Sequence, residues 1–375
     1  MSDLPLPDLG AAWRAARPRP AGVHLDSAAC SRQSVKVLDA VAHHARHEAE
    51  VGGYYAEESA GMLLQQGRSV LAGLVGMAAA DVSFTESASS SIRILLDAWR
   101  PPAGSRVAVV PGEYHGNLAA LAHHGLTAQV LAADELGRVD VEALGRLLRS
   151  DPPAAVHLTA VASHRAVVQP WVEVSRLCRA TGVPLLVDAA QALGQVDCDI
   201  PADVVYGTSR KWLAGPRGVG FLVTRPAFRA GLTPVQGDPT DALSYETHDA
   251  HVAGRVGLVL AIGEHLAAGP AAVRTRLAGI GRAVREQLAE VPGWRVVEPV
   301  DEPTAATTLA GPDVADTHAR LRAEHGIVTT LCLPARAPGE LTEPVLRVSP
   351  HLDVTEAEIQ VLASALRSSV TDLPG

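Results

Sequence analysis

Between residues 62 and 211, short apolar runs alternate with helix-forming stretches, and this alternation narrows the possible folds more than any other feature of the chain. The apolar runs cover 82–84, 107–110, 128–131, 155–158, 185–187 and 204–206, and the helical patterns between and before them cover 62–73, 89–99, 118–124, 141–148 and 172–180. Runs this short read as strands buried on both faces, so the pattern predicts βαβ units and a mostly parallel sheet, an α/β fold. Before it lie a strand-like run that enters a tight turn over 23–29 and a helix over 34–50. After residue 254, helices at 255–267 and 271–290 lead to strand-like runs at 294–297, 306–309, 327–331 and 345–348, the pattern of a smaller α+β unit. The expected organisation is an N-terminal arm over 1–22, a large domain over 23–254 and a small C-terminal domain over 255–375.

A mostly parallel sheet binds its ligands at the carboxyl ends of its strands. Residues with chemical potential fall there: a Ser-rich turn after Phe84, Glu113-Tyr114-His115 after Val110, Ser163-His164 after Val161, Asp188 and Gln191 after Val187, and Thr208-Ser209-Arg210-Lys211 after Tyr206.

Lys211 is singular. Of 32 Lys plus Arg residues only Lys36 and Lys211 are lysines, so a chain that takes its positive charge from arginine keeps an amine here. Guanidinium cannot be deprotonated at useful pH, whereas burial and a cationic neighbour such as Arg210 lower an amine until it is nucleophilic, as a Schiff-base lysine requires. Asp188, ending an apolar run, needs a cationic partner; a protonated ring nitrogen would serve. The turn after Phe84 leads into a helix whose first amides, at Ala88 and Ser89, form a phosphate cradle that Thr208 and Arg210 can complete.

Net charge is −9 and no basic run is interleaved with aromatics, which argues against nucleic acid and anionic membranes as partners. Cys30, Cys178, Cys198 and Cys332 are scattered, indicating neither a disulfide framework nor a zinc site. His43 and His47 have metal-ligand spacing, but no further cluster supplies the remaining ligands, so no metal is expected. The N-terminus lacks the pattern of a secretory signal and the most apolar stretch, 256–268, is interrupted by Glu264 and His265; a cytoplasmic protein is the expectation.

The stretches LDSAA at 25–29, FTESAS at 84–89, VDAAQALG at 187–194, TSRKWLAGPRGVG at 208–220 and LRVSPH at 346–351 resemble, in order and over nearly the whole chain, the class V aminotransferase and cysteine desulfurase family. The resemblance implies the fold type I architecture of pyridoxal 5'-phosphate enzymes and a homodimer with its sites between subunits. By position it makes Lys211 the cofactor-bearing lysine, pairs Asp188 with the pyridine nitrogen and sets Gln191 near the ring hydroxyl. It assigns the phosphate to Ala88, Ser89, Thr208 and Arg210, and the substrate to Ala28 and Arg347, whose apolar neighbours Leu346 and Val348 fit a buried strand. The sequence departs from the family at four places: Tyr114 stands at the ring-stacking His, Ser163 at an Asn near the ring hydroxyl, Arg210 at the His before the lysine, and His248-Asp249 at the Gly-Thr that reaches the partner's phosphate.

Within the family the motifs are most similar to the carbon–sulfur lyases of actinobacterial ergothioneine biosynthesis, which act on hercynylcysteine sulfoxide by β-elimination. A cysteine desulfurase would need Cys332 as a mobile thiolate, and Cys332 lies among residues that read as a buried strand. An aminotransferase or epimerase, or a binding protein without turnover, are the other readings; intact Lys211, Asp188 and Arg347 argue against the last. Tyr54 and Tyr55, with Glu57, are expected to contact a substrate trimethylammonium and imidazole, the other reading being that the two tyrosines pack a dimer interface. His164 is expected to touch substrate or to satisfy its own loop.

Overall fold

The computed structural model describes residues 8–371. Of the N-terminal segment, residues 1–7 lie outside the described residues, and the next turn is a helix, α1 (Leu9–Ala15), capped by the Asp8 carboxylate, which accepts from the Gly10 amide at 3.0 Å. Trp13 of α1 stacks on His351 at 4.1 Å, and the Arg17 guanidinium lies 3.1 Å from the indole centroid, so this segment is fastened to the C-terminal part. Strand β1 (Val23–His24) and a helical turn, α2 (Ser27–Cys30), follow. Helix α3 (Val35–Val51) then passes into α4 (Gly53–Leu74) through Gly52, which has φ 92° and acts as the C-cap of one helix and the N-cap of the next. The stretch from Gly53 is therefore helical.

The apolar runs form strands β2 (Val82–Thr85), β3 (Arg106–Val109), β4 (Thr127–Val130), β5 (Ala155–Thr159), β6 (Leu185–Asp188) and β7 (Val204–Thr208). They alternate with helices α5 (Ala88–Ala98), α6 (His115–His123), α7 (Val141–Ser150) and α8 (Trp171–Thr181). One strand was not foreseen: β8 (Gly220–Thr224), which returns after the Gly-rich loop, antiparallel to both β7 and β2. The sheet order is β2-β8-β7-β6-β5-β3-β4, with four parallel pairings and two antiparallel ones, both made by β8. The central strands are buried along their whole length, as a sheet covered on both faces requires.

A short helix, α9 (Pro226–Arg229), precedes α10 (Val252–Ala267), which is apolar on nearly every side because it packs on α3, α4 and one face of the large sheet. Helix α11 (Pro270–Ala289) then leads to β9 (Arg295–Val296), β10 (Thr307–Ala310), α12 (Val314–His325), β11 (Ile327–Val328), β12 (Thr330–Cys332), β13 (Val345–Val348) and α13 (Glu356–Thr371). Four of these strands make an antiparallel sheet, β12-β13-β10-β9, while β1 pairs in parallel with β11, bringing the N-terminal strand to the C-terminal sheet. The large sheet thus meets the small one where β5, β6 and β7 end and β13 begins its approach. Among the described residues no single helix is long and apolar enough to cross a membrane.

Candidate active site

Where the two sheets meet is a cavity of about 270 Å³, whose wall includes Lys211, Asp188, Gln191, Arg210, Arg347 and Tyr114. Ala28, Ala88, Ser89, Ser163 and Thr208 line it too, so the structure brings most of the residues singled out from sequence into one wall. Asn117, Thr159, Ser87 and Arg336 join them.

One corner is built to hold an anion. Ser87 caps α5: its Oγ accepts from the Ser90 amide at 3.0 Å, and the Ser90 hydroxyl accepts from the Ser87 amide at 2.8 Å. The Ser91 amide is taken by the Ser87 carbonyl, and no described hydrogen bond uses the amides of Ala88 or Ser89. Strand β8 can approach this turn only because residue 220 is glycine: a Cβ there would lie 2.5 Å from the Ser87 carbonyl carbon and 2.7 Å from the Gly207 oxygen. That approach sets the head of α5 beside Thr208 and Arg210. Burial lowers the Arg210 pKa, and no acid holds its guanidinium among the described residues.

Lys211 is half-buried at the start of the Gly-rich loop. Burial pushes its amine down; Asp188 pulls it back up, and Arg210, Arg347 and Arg336 push it down again, to about 7. Asp188, at the end of β6, is almost wholly buried. Its Oδ1 accepts from the Ala190 amide at 2.8 Å and its Oδ2 from Asn117 Nδ2 at 3.0 Å. Gln191 is tied at both ends, donating to the Ala28 carbonyl at 2.9 Å and accepting from the Trp212 indole at 3.1 Å, so one of its amide hydrogens stays free.

On the opposite side β13 presents Arg347, fully sheathed by protein. It donates to the Ser163 carbonyl and, at 2.9 Å, to the Thr330 hydroxyl, and it lies 3.5 Å from Asp26. Its Nε is buried without a partner, as are Arg336 Nε and Ser163 Oγ. Arg336 comes from the segment after β12, which Glu340 ties to the large sheet by an ion pair to Arg165 at 2.7 Å. Lys211, Arg210, Arg336 and Arg347 against Asp188 make the cavity strongly cationic, suited to a ligand with more than one anionic group.

Other candidates stand apart from this wall. Tyr54 and Tyr55, at the start of α4, are 87% and 72% exposed, Glu57 lies on the same helix, and none of the three lines the cavity of its own chain. His164 is buried, does not line the cavity and lies 3.3 Å from Glu340. His248 and Asp249 are exposed. Cys332 is fully buried in β12, opposite Val345. The His43 and His47 rings stack at 6.5 Å, and no group of three potential metal ligands converges among the described residues.

A family model described as aminotransferase class-V matches residues 23–362. The chain belongs to the class-V aminotransferase family. Within it, the chain is 50% identical over 372 residues to a protein described as "Probable hercynylcysteine sulfoxide lyase" from Mycobacterium tuberculosis (strain CDC 1551 / Oshkosh), covering 97% of this chain and 94% of the relative. Among solved structures, the apo cysteine desulfurase from Thermococcus onnurineus NA1 superposes with a TM-score of 0.87 at 18% identity, over 100% of both chains. A lysine-to-alanine mutant of C-DES, solved with glycine covalently linked to its pyridoxal phosphate cofactor, gives 0.83 at 19% identity over 94% and 98%. The fold is that of the fold type I enzymes, and this class-V aminotransferase family member is a pyridoxal-phosphate-dependent enzyme.

The wall fits that cofactor. The free amides of Ala88 and Ser89 with the unpaired Arg210 suit a phosphate, the unpartnered Ser163 hydroxyl suits a polar ring substituent, and Asp188 with the lowered amine of Lys211 suits a pyridine aldehyde.

Proposed function

We propose that this enzyme cleaves hercynylcysteine sulfoxide by β-elimination, releasing the sulfenic acid of ergothioneine, pyruvate and ammonia, and that it works as a homodimer in the cytoplasm. The observation that carries the reading is the position of Cys332. It is fully buried in β12 and absent from the cavity wall, so the wall presents an amine base and no cysteine thiol to receive sulfur. A desulfurase needs such a thiol. The relative at 50% identity supports the same substrate.

Bound pyridoxal phosphate supplies a protonated ring that takes up the electron pair left on the substrate's α-carbon. Lys211, with its amine near 7, is a general base at neutral pH and removes the α-proton. Arg347 holds the α-carboxylate through its planar fork. Asp188, which accepts from the Ala190 amide and from Asn117, is the residue that would meet the cofactor's ring nitrogen. The Cβ–S bond then breaks with its electrons on sulfur, which leaves as a sulfenate carrying the sulfoxide oxygen, and water releases ammonia from the three-carbon remainder to give pyruvate. Loss of sulfur as sulfenate needs no external oxidant or reductant.

The proposed substrate has a second carboxylate, on its betaine end. Arg336, on the wall with its Nε unpaired, is the residue we assign to it. Its trimethylammonium needs an aromatic surface. The exposed faces of Tyr54 and Tyr55 supply one if a second copy brings them to the site, which is the support for a dimer.

Competition between substrates tests the reading. The enzyme is expected to prefer hercynylcysteine sulfoxide over free cysteine by about 100-fold or more in kcat/KM, the scale on which a site built for charged groups rejects a substrate lacking them. A preference for cysteine contradicts it. Arg336→Ala is expected to raise KM about tenfold for hercynylcysteine sulfoxide and less than about twofold for S-methylcysteine sulfoxide, which lacks the second carboxylate.

A further inference from the structure

Strand order brings together four buried polar side chains that nothing in the reaction so far uses directly. Thr159 of β5 lies opposite Asp188 of β6, and Asp188 opposite Tyr206 of β7. His157, two residues before Thr159, shares their face of the sheet. Glu113 reaches the same place from the turn after β3, the strand on the other side of β5.

Glu113 is saturated with donors. Its Oε1 accepts from the Tyr114 amide at 2.8 Å, Asn117 Nδ2 at 2.8 Å and the Thr159 hydroxyl at 2.7 Å, while Oε2 meets His157 Nδ1 at 2.8 Å. Three donors crowd Oε1 and the imidazole stands at Oε2, a setting that favours the charged carboxylate. Burial opposes that charge, but His157 and the other donors outweigh it and hold Glu113 below the usual carboxylate range; burial likewise opposes charge on His157, and Glu113 outweighs it, raising the imidazole. The pair thus favours a charged carboxylate beside a charged imidazole, and His157 Nε2 lies 2.8 Å from the Tyr206 hydroxyl.

Asn117 connects this pair to the cofactor site. Its amide has two hydrogens and both are spent, one on Glu113 at 2.8 Å and one on Asp188 at 3.0 Å. Turning the amide to offer its oxygen to a protonated Asp188 would leave the Glu113 charge short of a donor in a buried site. Asp188 can therefore only accept, at Oδ2 from Asn117 and at Oδ1 from the Ala190 amide.

We propose that Glu113, His157 and Asn117 are positioning residues for Asp188: the buried pair fixes the Asn117 amide with both hydrogens forward, which holds Asp188 as an ionised acceptor in the one orientation that serves the cofactor's ring nitrogen. They touch neither substrate nor reacting atoms through this role, and they act on the reaction by keeping the ring nitrogen protonated. The competing account is a clamp that merely ties the turn after β3 to β5 and β7.

A double-mutant cycle on the holoenzyme separates the two. Wild type, Glu113→Gln, Asp188→Asn and the double variant are compared by equilibrium affinity for pyridoxal phosphate and by visible absorption of the bound cofactor. Glu113→Gln is expected to weaken cofactor affinity about tenfold and to shift the absorption in the same direction as Asp188→Asn, but to add less than about twofold in the Asp188→Asn background. Equal effects in both backgrounds, with unchanged absorption, overturn the proposal. If Glu113→Gln does not fold, Asn117→Ser, on the cavity wall, leaves the ion pair intact and cuts only the bridge. It is expected to show the same shift and the same coupling, and wild-type affinity and absorption in that variant overturn the proposal equally.

Discussion

With its amine lowered to about 7 by burial and three arginines, Lys211 is poised as a base and a nucleophile in a chain that otherwise avoids lysine. The folded pKa lies below the unfolded value, so the neutral, reactive form gains population as pH rises through 7 rather than through 10. Capture of pyridoxal phosphate by the cofactor-free protein is therefore expected to speed up between about pH 6 and 8 and then level off; a midpoint near 10, read from the absorption rise after mixing, contradicts this. Arg347 is a second such position, because its fork is already oriented by Ser163 and Thr330. Arg347→Lys keeps the charge and loses the fork, and is expected to lower kcat/KM about 100-fold in steady-state assays. Lys211 and Asp188 were legible from sequence since each was anomalous where it stood, a lone lysine and an acid ending an apolar run. Glu113, His157 and Asn117 were not legible as a unit. His157 sits inside a run that reads as plain buried strand, and only the adjacency of β3 to β5 brings Glu113 to it.

At the scale of elements, the decisive contact is β8 against the capped start of α5. Period and length identify the strands of the parallel set, but β8 follows a Gly-rich loop that obscures where a strand begins, and its antiparallel return was missed for that reason. The contact is tight enough to test. Gly220→Ala would place a methyl 2.5 Å from the Ser87 backbone, forcing the strand and the helix cap apart. It is expected to destabilise the fold by about 1–3 kcal/mol. It should also weaken pyridoxal phosphate binding more than a variant remote from the cap with equal loss of Tm. Unchanged cofactor affinity would remove this approach from the account of the phosphate corner. Over 52–58 two glycines stand beside two tyrosines, yet Gly52 alone makes the turn and Gly53 already begins α4.

At the scale of the whole molecule, the reaction depends on two sheets facing one another, with Lys211 and Asp188 on the large one and Arg347 on the small one. The mostly parallel sheet was legible in the alternation before residue 211; the pairing of β1 with β11 was not, since a two-residue strand carries no period and its partner lies 304 positions away at Val23 and Ile327. What faces outward also has a pattern: Tyr54, Tyr55 and Met62 of α4 are 87%, 72% and 87% exposed, an apolar stripe that a second copy would cover. The protein is expected to run at twice 39.1 kDa in light scattering, and Tyr54→Asp with Met62→Asp to move it toward 39.1 kDa. The central claim, elimination by an amine base without a protein thiol, is tested most directly by product analysis of hercynylcysteine sulfoxide turnover in wild type, Lys211→Ala, Cys332→Ala and Cys30→Ala. One pyruvate and one ammonia are expected for each substrate consumed, at a rate undiminished by either cysteine change and lowered about a thousandfold or more by Lys211→Ala. Alanine in place of pyruvate, lost together with Cys332, would contradict it.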